Sequence, residues 1–188
     1  MFTSKLINSL SIIKTRGLLT FLLALWFVFL TNLLRIFFKK KYFLKKIYNF
    51  KLWLDLEDKG ISRSLILFGK RENDQKYIIE NVLKESMKIF DVGANIGYYV
   101  LLQNNKIGNK GKIIAIEPSP NNIKLLKKNL NVNNLREGKV KVIEGAVSNF
   151  DGNKKFYLSN QSNLHTFHKN GSARDFLTGN TINVEVLR

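Results

Sequence analysis

The sequence predicts an α/β fold built on a partial Rossmann-like parallel sheet, preceded by an N-terminal hydrophobic helix. Three short apolar runs, at 87–91, 112–116 and 139–143, are separated by stretches with helical spacing. This β-α-β-α-β succession is typical of a parallel sheet with crossover helices. The first run leads into a glycine-rich turn, and a long uncharged run lies near the N-terminus. We therefore expect a ligand at the carboxyl ends of the strands.

The N-terminal segment is apolar and basic. Residues 17–34 form an 18-residue stretch without charge, and as a helix they would reach about 27 Å, just short of a hydrocarbon core of about 30 Å. Residues 1–50 contain nine Lys or Arg and no acid, so more than half of the net charge of +17 lies there. A membrane is the expected partner of residues 17–47, through a helix that either spans the bilayer or lies in its interface.

The next elements follow from spacing. Alternating bulky and polar residues predict a strand at 50–56, whereas 62–68 fits a strand or a helix. Helical spacing at 74–85 and 98–103 predicts helices on either side of the first sheet strand. A Ser-Pro pair, a good N-cap and first helical position, starts a helix that runs to residue 131.

The turn after the first sheet strand predicts a nucleotide-like ligand. Gly93, Asn95 and Gly97 are spaced two residues apart before helix-compatible residues resume. Glycine allows positive φ and lets a ligand approach the backbone, and the following helix N-terminus presents N–H groups. Tyr98 and Tyr99 either line the ligand pocket or pack on the sheet.

The spacing of acids selects the ligand. The turn reads D-x-G-x-N-x-G, not the G-x-G-x-x-G of dinucleotide sites. Asp91 suits a cationic ligand such as S-adenosylmethionine and would repel a pyrophosphate. A second acid, Glu117, ends the next strand, where it can bind ribose hydroxyls. The predicted cofactor-binding residues are Asp91, Gly93, Asn95, Gly97, Glu117, Ala146 and Val147, the last two on the adenine side.

Beyond residue 147 the pattern changes from helical to strand-like. The Asp-Gly pair at 151–152 predicts a hairpin whose second strand is 154–158. Further turns are predicted at 170–171 and 179–180, and a last strand at 181–187. Three strands of the parallel sheet are recognisable, so we expect the sheet to end in an exposed edge and an uncovered apolar face.

Several motifs resemble the FkbM family of class I methyltransferases, over roughly Tyr48 to Arg188. They are DVGANIGYY at 91–99, AIEPSP at 115–120, LLKKNL at 125–130, EGAVS at 144–148 and SNLHT at 162–166. The resemblance implies a class I methyltransferase sheet and methyl transfer from S-adenosylmethionine to a hydroxyl of a sugar, glycan or secondary metabolite. It also implies further sheet strands, so we expect either a fragment of a longer product or a native protein that has lost part of the fold. We therefore divide the chain into a membrane-associating helical segment, 1–47, and the N-terminal part of a methyltransferase domain, 48–188.

One residue is a candidate for catalysis and none for metal binding. A hydroxyl acceptor must lose its proton, and His165 could be the general base, although a loop histidine with a structural role or none is the more common case. The acids Asp55, Glu57 and Asp58 lack a second set of ligands and are interpreted as a solvated turn. The chain contains no cysteine, so a thiolate metal site is excluded.

The sequence leaves alternatives open for the cellular location of the domain and for the acceptor of the methyl group. More basic residues follow the apolar run than precede it, so the domain is expected at the cytoplasmic face of the membrane or in the cytoplasm. Later lysines are scattered over helices and strands, which favours a solvated surface and makes nucleic acid an unlikely partner. Two other functions are considered: a catalytically inactive, membrane-attached cofactor-binding fragment and an RNA methyltransferase.

Overall fold

The computed structural model of the protein describes residues 13–188. Its helices are α1 (Leu18–Ile36), α2 (Ile61–Phe68), α3 (Asn73–Val82), α4 (Tyr98–Ile107) and α5 (Pro120–Val132), with a 3₁₀ helix at Arg174–Phe176. Its strands are β1 (Tyr42–Ile47), β2 (Phe50–Asp55), β3 (Lys88–Val92), β4 (Lys112–Glu117), β5 (Val140–Glu144), β6 (Ala146–Val147), β7 (Gly152–Ser159) and β8 (Leu177–Leu187). Part of the predicted N-terminal segment, 1–12, lies outside the described residues.

A parallel sheet with strand order β3-β4-β5 forms the centre of the fold. Asp91 is paired with Ala115, and Glu117 with Glu144, so the carboxyl ends of the three strands meet at one edge. Helices α4 and α5 cover the sheet with fully buried side chains such as Val100 and Leu126. The predicted partial α/β sheet is confirmed, and it places the turn after β3 beside the end of β4.

In the described part of the chain, β3 and β5 are the two outer strands of this sheet, and each has one neighbouring strand. The side chains of Phe90 and Val92 on β3 are 69% and 60% exposed. The exposed edge expected from the sequence is therefore present, and one apolar face of the sheet is uncovered beside it.

Strands β1 and β2 form an antiparallel hairpin that the sequence only half predicted. The register runs from Tyr42 opposite Asp55 to Ile47 opposite Phe50. Residues 42–47 were expected in the helical segment but are a strand, because their backbone pairs with β2 over the whole length of β1. The side-chain amide of Asn129 on α5 ties the hairpin to the domain: its Oδ1 accepts from the Trp53 N–H at 2.6 Å.

The C-terminal strands form a second sheet with order β6-β8-β7. Strand β8 runs parallel to β6 and antiparallel to β7, so the predicted hairpin across 151–152 is wrong: β8 lies between its two arms. The predicted turn at 179–180 is also wrong, since both residues lie within β8. There the pairing shifts near Ser159, and Gly179, with φ +84°, provides the positive φ that such an irregularity needs.

The predicted apolar N-terminal helix is present as α1. Within residues 13–188 it is one helix whose length and composition would allow it to cross a membrane. Ala24 is its one buried residue. Most of its large apolar side chains are exposed, which is unusual for a helix that contacts a folded domain.

Candidate cofactor-binding site

A cavity of about 370 Å³ opens at the carboxyl ends of β3 and β4. This volume is in the usual range for small-molecule sites. Four of the predicted site residues line it: Gly93, Asn95, Glu117 and His165. The other lining residues are Ile61, Arg71, Glu72, Ala94, Tyr98, Tyr99, Pro118, Phe156, Ser162 and Asn163.

The turn after β3 is held against β4 by its backbone. The N–H groups of Gly93 and Ala94 both donate to the carbonyl oxygen of Ile116, at 2.9 and 3.0 Å. Gly93 has φ +81°, and a Cβ added there would meet no atom within 4 Å. Asn95 has φ +50°, a conformation that asparagine tolerates better than most residues. The turn therefore presents bare backbone to the cavity.

Glu117 organises this turn. Its Oε1 accepts hydrogen bonds from the Ser119 N–H and the Asn122 side-chain amide, both at 3.0 Å, and its Oε2 accepts from the Asn95 N–H at 2.9 Å. Burial raises the pKa of Glu117, these hydrogen bonds lower it, and the charge of Asp91 raises it again, with a net upward shift. A carboxylate offers about four acceptor positions, so Glu117 keeps capacity for one ligand hydroxyl.

Asp91 lies on β3 behind the turn and does not line the cavity. Its Oδ2 is buried and makes no hydrogen bond with the described residues. Burial raises the pKa of Asp91 to about 6, against the lowering effect of a hydrogen bond with Gln103. Asp91 is therefore a half-buried acid behind the cavity, and its Oδ2 has no hydrogen-bond partner among the described residues.

Three other predicted cofactor residues lie outside the cavity. Gly97 has φ +88°, and a Cβ there would come within 2.6 Å of Leu126 Cδ1, so this glycine lets α5 approach the turn. Ala146 is buried in the second sheet, and Val147 is 45% exposed on β6. The structure thus gives a packing reason for Gly97 and shows no cavity contact for the pair on β6.

The segment 160–165 joins the second sheet to the turn. The carbonyl oxygen of Ser162 accepts from the side-chain amides of Asn95, at 2.8 Å, and Asn122, at 3.1 Å. Asp58 holds the same serine, accepting from its N–H at 2.8 Å and its Oγ at 3.0 Å. Asp58 also accepts from the N–H groups of Gly60 and Ser62 at the start of α2. The solvated turn predicted for this acid is therefore wrong, because its carboxylate links α2 to the cavity wall.

Replacing Asp58 with asparagine is expected to lower the free energy of unfolding by about 1 kcal/mol, since an amide nitrogen cannot accept the bonds made by one carboxylate oxygen. Urea unfolding followed by circular dichroism measures the change. Glu57→Gln, at an exposed neighbouring site, is the control and should stay within about 0.5 kcal/mol of the parent. Equal stability of the Asp58 and Glu57 variants would contradict the linking role.

Comparison with known protein families decides the relationship. The model for the TRM5/TYW2 methyltransferase domain matches residues 45–177, well over half of the chain. The chain belongs to the TRM5/TYW2 methyltransferase domain family. The FkbM resemblance is therefore wrong, because the match is to a different branch of the S-adenosylmethionine-dependent methyltransferases.

Several solved structures are similar to parts of this chain. The TYW2 structure from P. horikoshii in complex with MeSAdo is 24% identical, with a TM-score of 0.46, and the match covers 60% of this chain and 39% of that one. The M. jannaschii TYW2 structure in complex with AdoMet is 23% identical, with a TM-score of 0.45, and the match covers 56% of this chain and 44% of that one. A putative rRNA-methylase from Clostridium thermocellum is 19% identical, with a TM-score of 0.37, and the match covers 39% of each chain.

The chain thus spans less than half the length of each of these structures. A search of curated protein sequences finds no match.

The hydrogen bond that His165 makes in the TRM5/TYW2 domain does not suit a general base. Its Nδ1 accepts from the Ser159 N–H at 2.9 Å. In a neutral imidazole the other nitrogen then carries the proton. Burial lowers the pKa of His165, although the charge of Asp58 raises it, so the neutral form is favoured. His165 is therefore placed to donate a hydrogen bond from Nε2, and the predicted base role gains no support.

One polar wall of the cavity was not predicted from any sequence motif. Arg71 Nε donates to Glu72 Oε1 at 2.8 Å, and the Tyr99 hydroxyl donates to the other oxygen of Glu72. Tyr98 lines the cavity and also packs edge-on against Phe50, with ring centroids 6.3 Å apart. Both interpretations of the tyrosines therefore apply, whereas nothing in the local pattern around Arg71 and Glu72 indicated a site.

Proposed function

We propose that this chain binds S-adenosylmethionine in the cavity at the ends of β3 and β4 and serves methyl transfer to RNA. The observation that carries the proposal is the family match, since residues 45–177 contain every residue that lines the cavity. Two TYW2 structures in the same family were solved with AdoMet or MeSAdo bound.

The chemistry of the cavity supports a cationic nucleoside as the ligand. Gly93 leaves open space where a side chain would otherwise stand. Burial raises the pKa of Asp91 and of Glu117, because it raises the free energy of the charged carboxylate. A positively charged group nearby offsets that cost. The sulfonium and ammonium groups of S-adenosylmethionine provide such charge, so the residues present fit the cofactor.

Each residue then has a defined task. Glu117 accepts one ribose hydroxyl while it keeps the turn in place, and the backbone at Gly93 allows close approach. Asp91 supplies negative charge behind the turn. The bound cofactor supplies an activated methyl group, and its fixed orientation contributes much of the rate of transfer. His165 donates a hydrogen bond into the cavity.

The RNA part of the proposal rests on the family and on charge. TRM5/TYW2 proteins act on tRNA. The expectation that nucleic acid is an unlikely partner therefore lacks support. Residues 51–188 carry a net charge of +8, which also favours phosphate contacts. The acceptors implied by the FkbM resemblance lose their basis with that resemblance.

Calorimetric titration of the full chain with S-adenosylmethionine is expected to give a dissociation constant of about 1–100 μM, in the range of ordinary enzyme ligands. ATP, which carries phosphates near acids, should not compete. Tritiated methyl groups should pass to total tRNA, and tRNA binding should weaken steeply with salt. Absence of cofactor binding would overturn the proposal as a whole. Binding without transfer to RNA would overturn the acceptor alone.

A further inference from the structure

In an ordinary surface helix, apolar side chains face the core and polar ones face water. Helix α1 contacts the domain through Ala24 and Phe27, and Thr31, Asn32 and Arg35 line a small cavity together with Asp58 and Arg63. Its opposite side, however, exposes most of its large apolar side chains. Those that are about half exposed or more are Leu18, Leu19, Leu22, Leu23, Leu25, Trp26, Phe29 and Ile36.

The helix lies along the domain over most of its length. Just before its start, the guanidinium of Arg16 lies 4.2 Å from the ring centroid of Phe68 on α2. In its middle, Phe27 packs edge-on against Phe43 of β1, with centroids 6.4 Å apart, and Lys45 Nζ lies 3.9 Å from the Phe27 ring. These contacts fix which side of the helix is covered by protein.

This arrangement disfavours a helix that spans a bilayer. A spanning helix is surrounded by hydrocarbon over about 30 Å. If α1 crossed a membrane with its present contacts, Lys45, Asp58 and Arg63 would be drawn into the hydrocarbon, at a large cost in free energy. A helix in the plane of the surface leaves these groups on the aqueous side.

We propose that α1 lies in the plane of an anionic lipid surface, with its exposed apolar face in the headgroup region and the domain on the aqueous side. Charge complementarity selects lipid as the occupant. Lys14 and Arg16 before the helix and residues 39–41 after it are exposed cations, and the first acid in the sequence is Asp55. Basic flanks beside a face of Leu, Phe and Trp are typical of helices that bind anionic interfaces.

Co-sedimentation of the full chain with phosphatidylcholine vesicles, with and without phosphatidylglycerol, tests the proposal. Binding is expected to require the anionic lipid. The double variant Leu22→Glu, Phe29→Glu should bind about tenfold more weakly or worse, because two charges replace apolar contacts. Tyr77→Glu changes an aromatic side chain that is 68% exposed on α3, and it should bind like the parent. Circular dichroism checks that both variants fold.

Labelling separates an in-plane helix from a spanning one. Because the chain contains no cysteine, Lys14→Cys and Lys39→Cys each provide a single thiol at one end of the helix. In sealed anionic vesicles, a membrane-impermeant maleimide should label both variants to the same extent. Labelling of one end only after detergent would overturn the proposal in favour of a span. Unchanged binding of the double glutamate variant, or self-association without vesicle binding, would also overturn it.

Discussion

Glu117→Gln is expected to lower the free energy of unfolding by about 2 kcal/mol and to weaken S-adenosylmethionine binding about tenfold or more. The glutamine oxygen can keep the bonds from Ser119 and Asn122 only if its amide nitrogen faces the Asn95 N–H. If the amide nitrogen faced Ser119 and Asn122 instead, the side chain would lose two hydrogen bonds and not one. The variant should therefore lose the hydrogen bond from the Asn95 N–H, which holds the turn after β3 against Glu117.

Urea unfolding and calorimetric titration measure the two effects of this change. Glu144→Gln provides a matched control, because Glu144 pairs with Glu117 in the register of the sheet and ends β5 in an exposed position. Its salt bridge with Lys127 lies at the surface, so its loss should change stability by less than about 1 kcal/mol. Full cofactor affinity in Glu117→Gln would show that the turn does not depend on this carboxylate.

Asp91→Asn is expected to stabilise the protein at pH 8 by about 2 kcal/mol and to weaken cofactor binding. In the folded chain the pKa of Asp91 is about 6, against an ordinary value of 3.8. Between these values the folded state holds more protons than the unfolded state, so the contribution of Asp91 to stability falls as the pH rises from 4 to 6. Asparagine has no charge to bury and removes that loss.

The pH dependence identifies the cause. The stability difference between Asp91→Asn and the parent should be near zero at pH 3 and reach its full value above pH 6, as thermal or urea unfolding across this range will show. Asp175→Asn, at an exposed site, should give no difference at either pH. If the Asp91 variant were less stable than the parent at pH 8, the carboxylate would be satisfied within the folded chain, and its proposed role toward a cation would fail.

Local patterns were sufficient for the centre of the fold and insufficient for its surroundings. The strands around Asp91 and Glu117, and the turn between β3 and α4, follow from spacing within about 30 residues. The insertion of β8 between β6 and β7 depends on pairing between distant residues, which no local pattern contains. Asp58 was misinterpreted for the same reason, because its partner Ser162 is 104 residues away.

The family assignment failed in a related way. The FkbM resemblance depended on the glycine turn and the acid at 117, for which we propose a role in cofactor binding, and one fold hosts many different acceptors. Residues such as Arg71 and Glu72, which line the far side of the cavity, carry no motif of their own. A sequence reading based on the turn could therefore identify the cofactor class but not the branch of the family.

The two amides that meet on the carbonyl oxygen of Ser162 have a thermodynamic consequence. One comes from Asn95 in the turn and the other from Asn122, which also bonds to Glu117. Docking of the second sheet and ordering of the turn after β3 are therefore thermodynamically coupled, with one coupling free energy between them. A ligand that fixes the turn also favours the docked sheet, and a loosened sheet lowers the affinity for that ligand by the same factor.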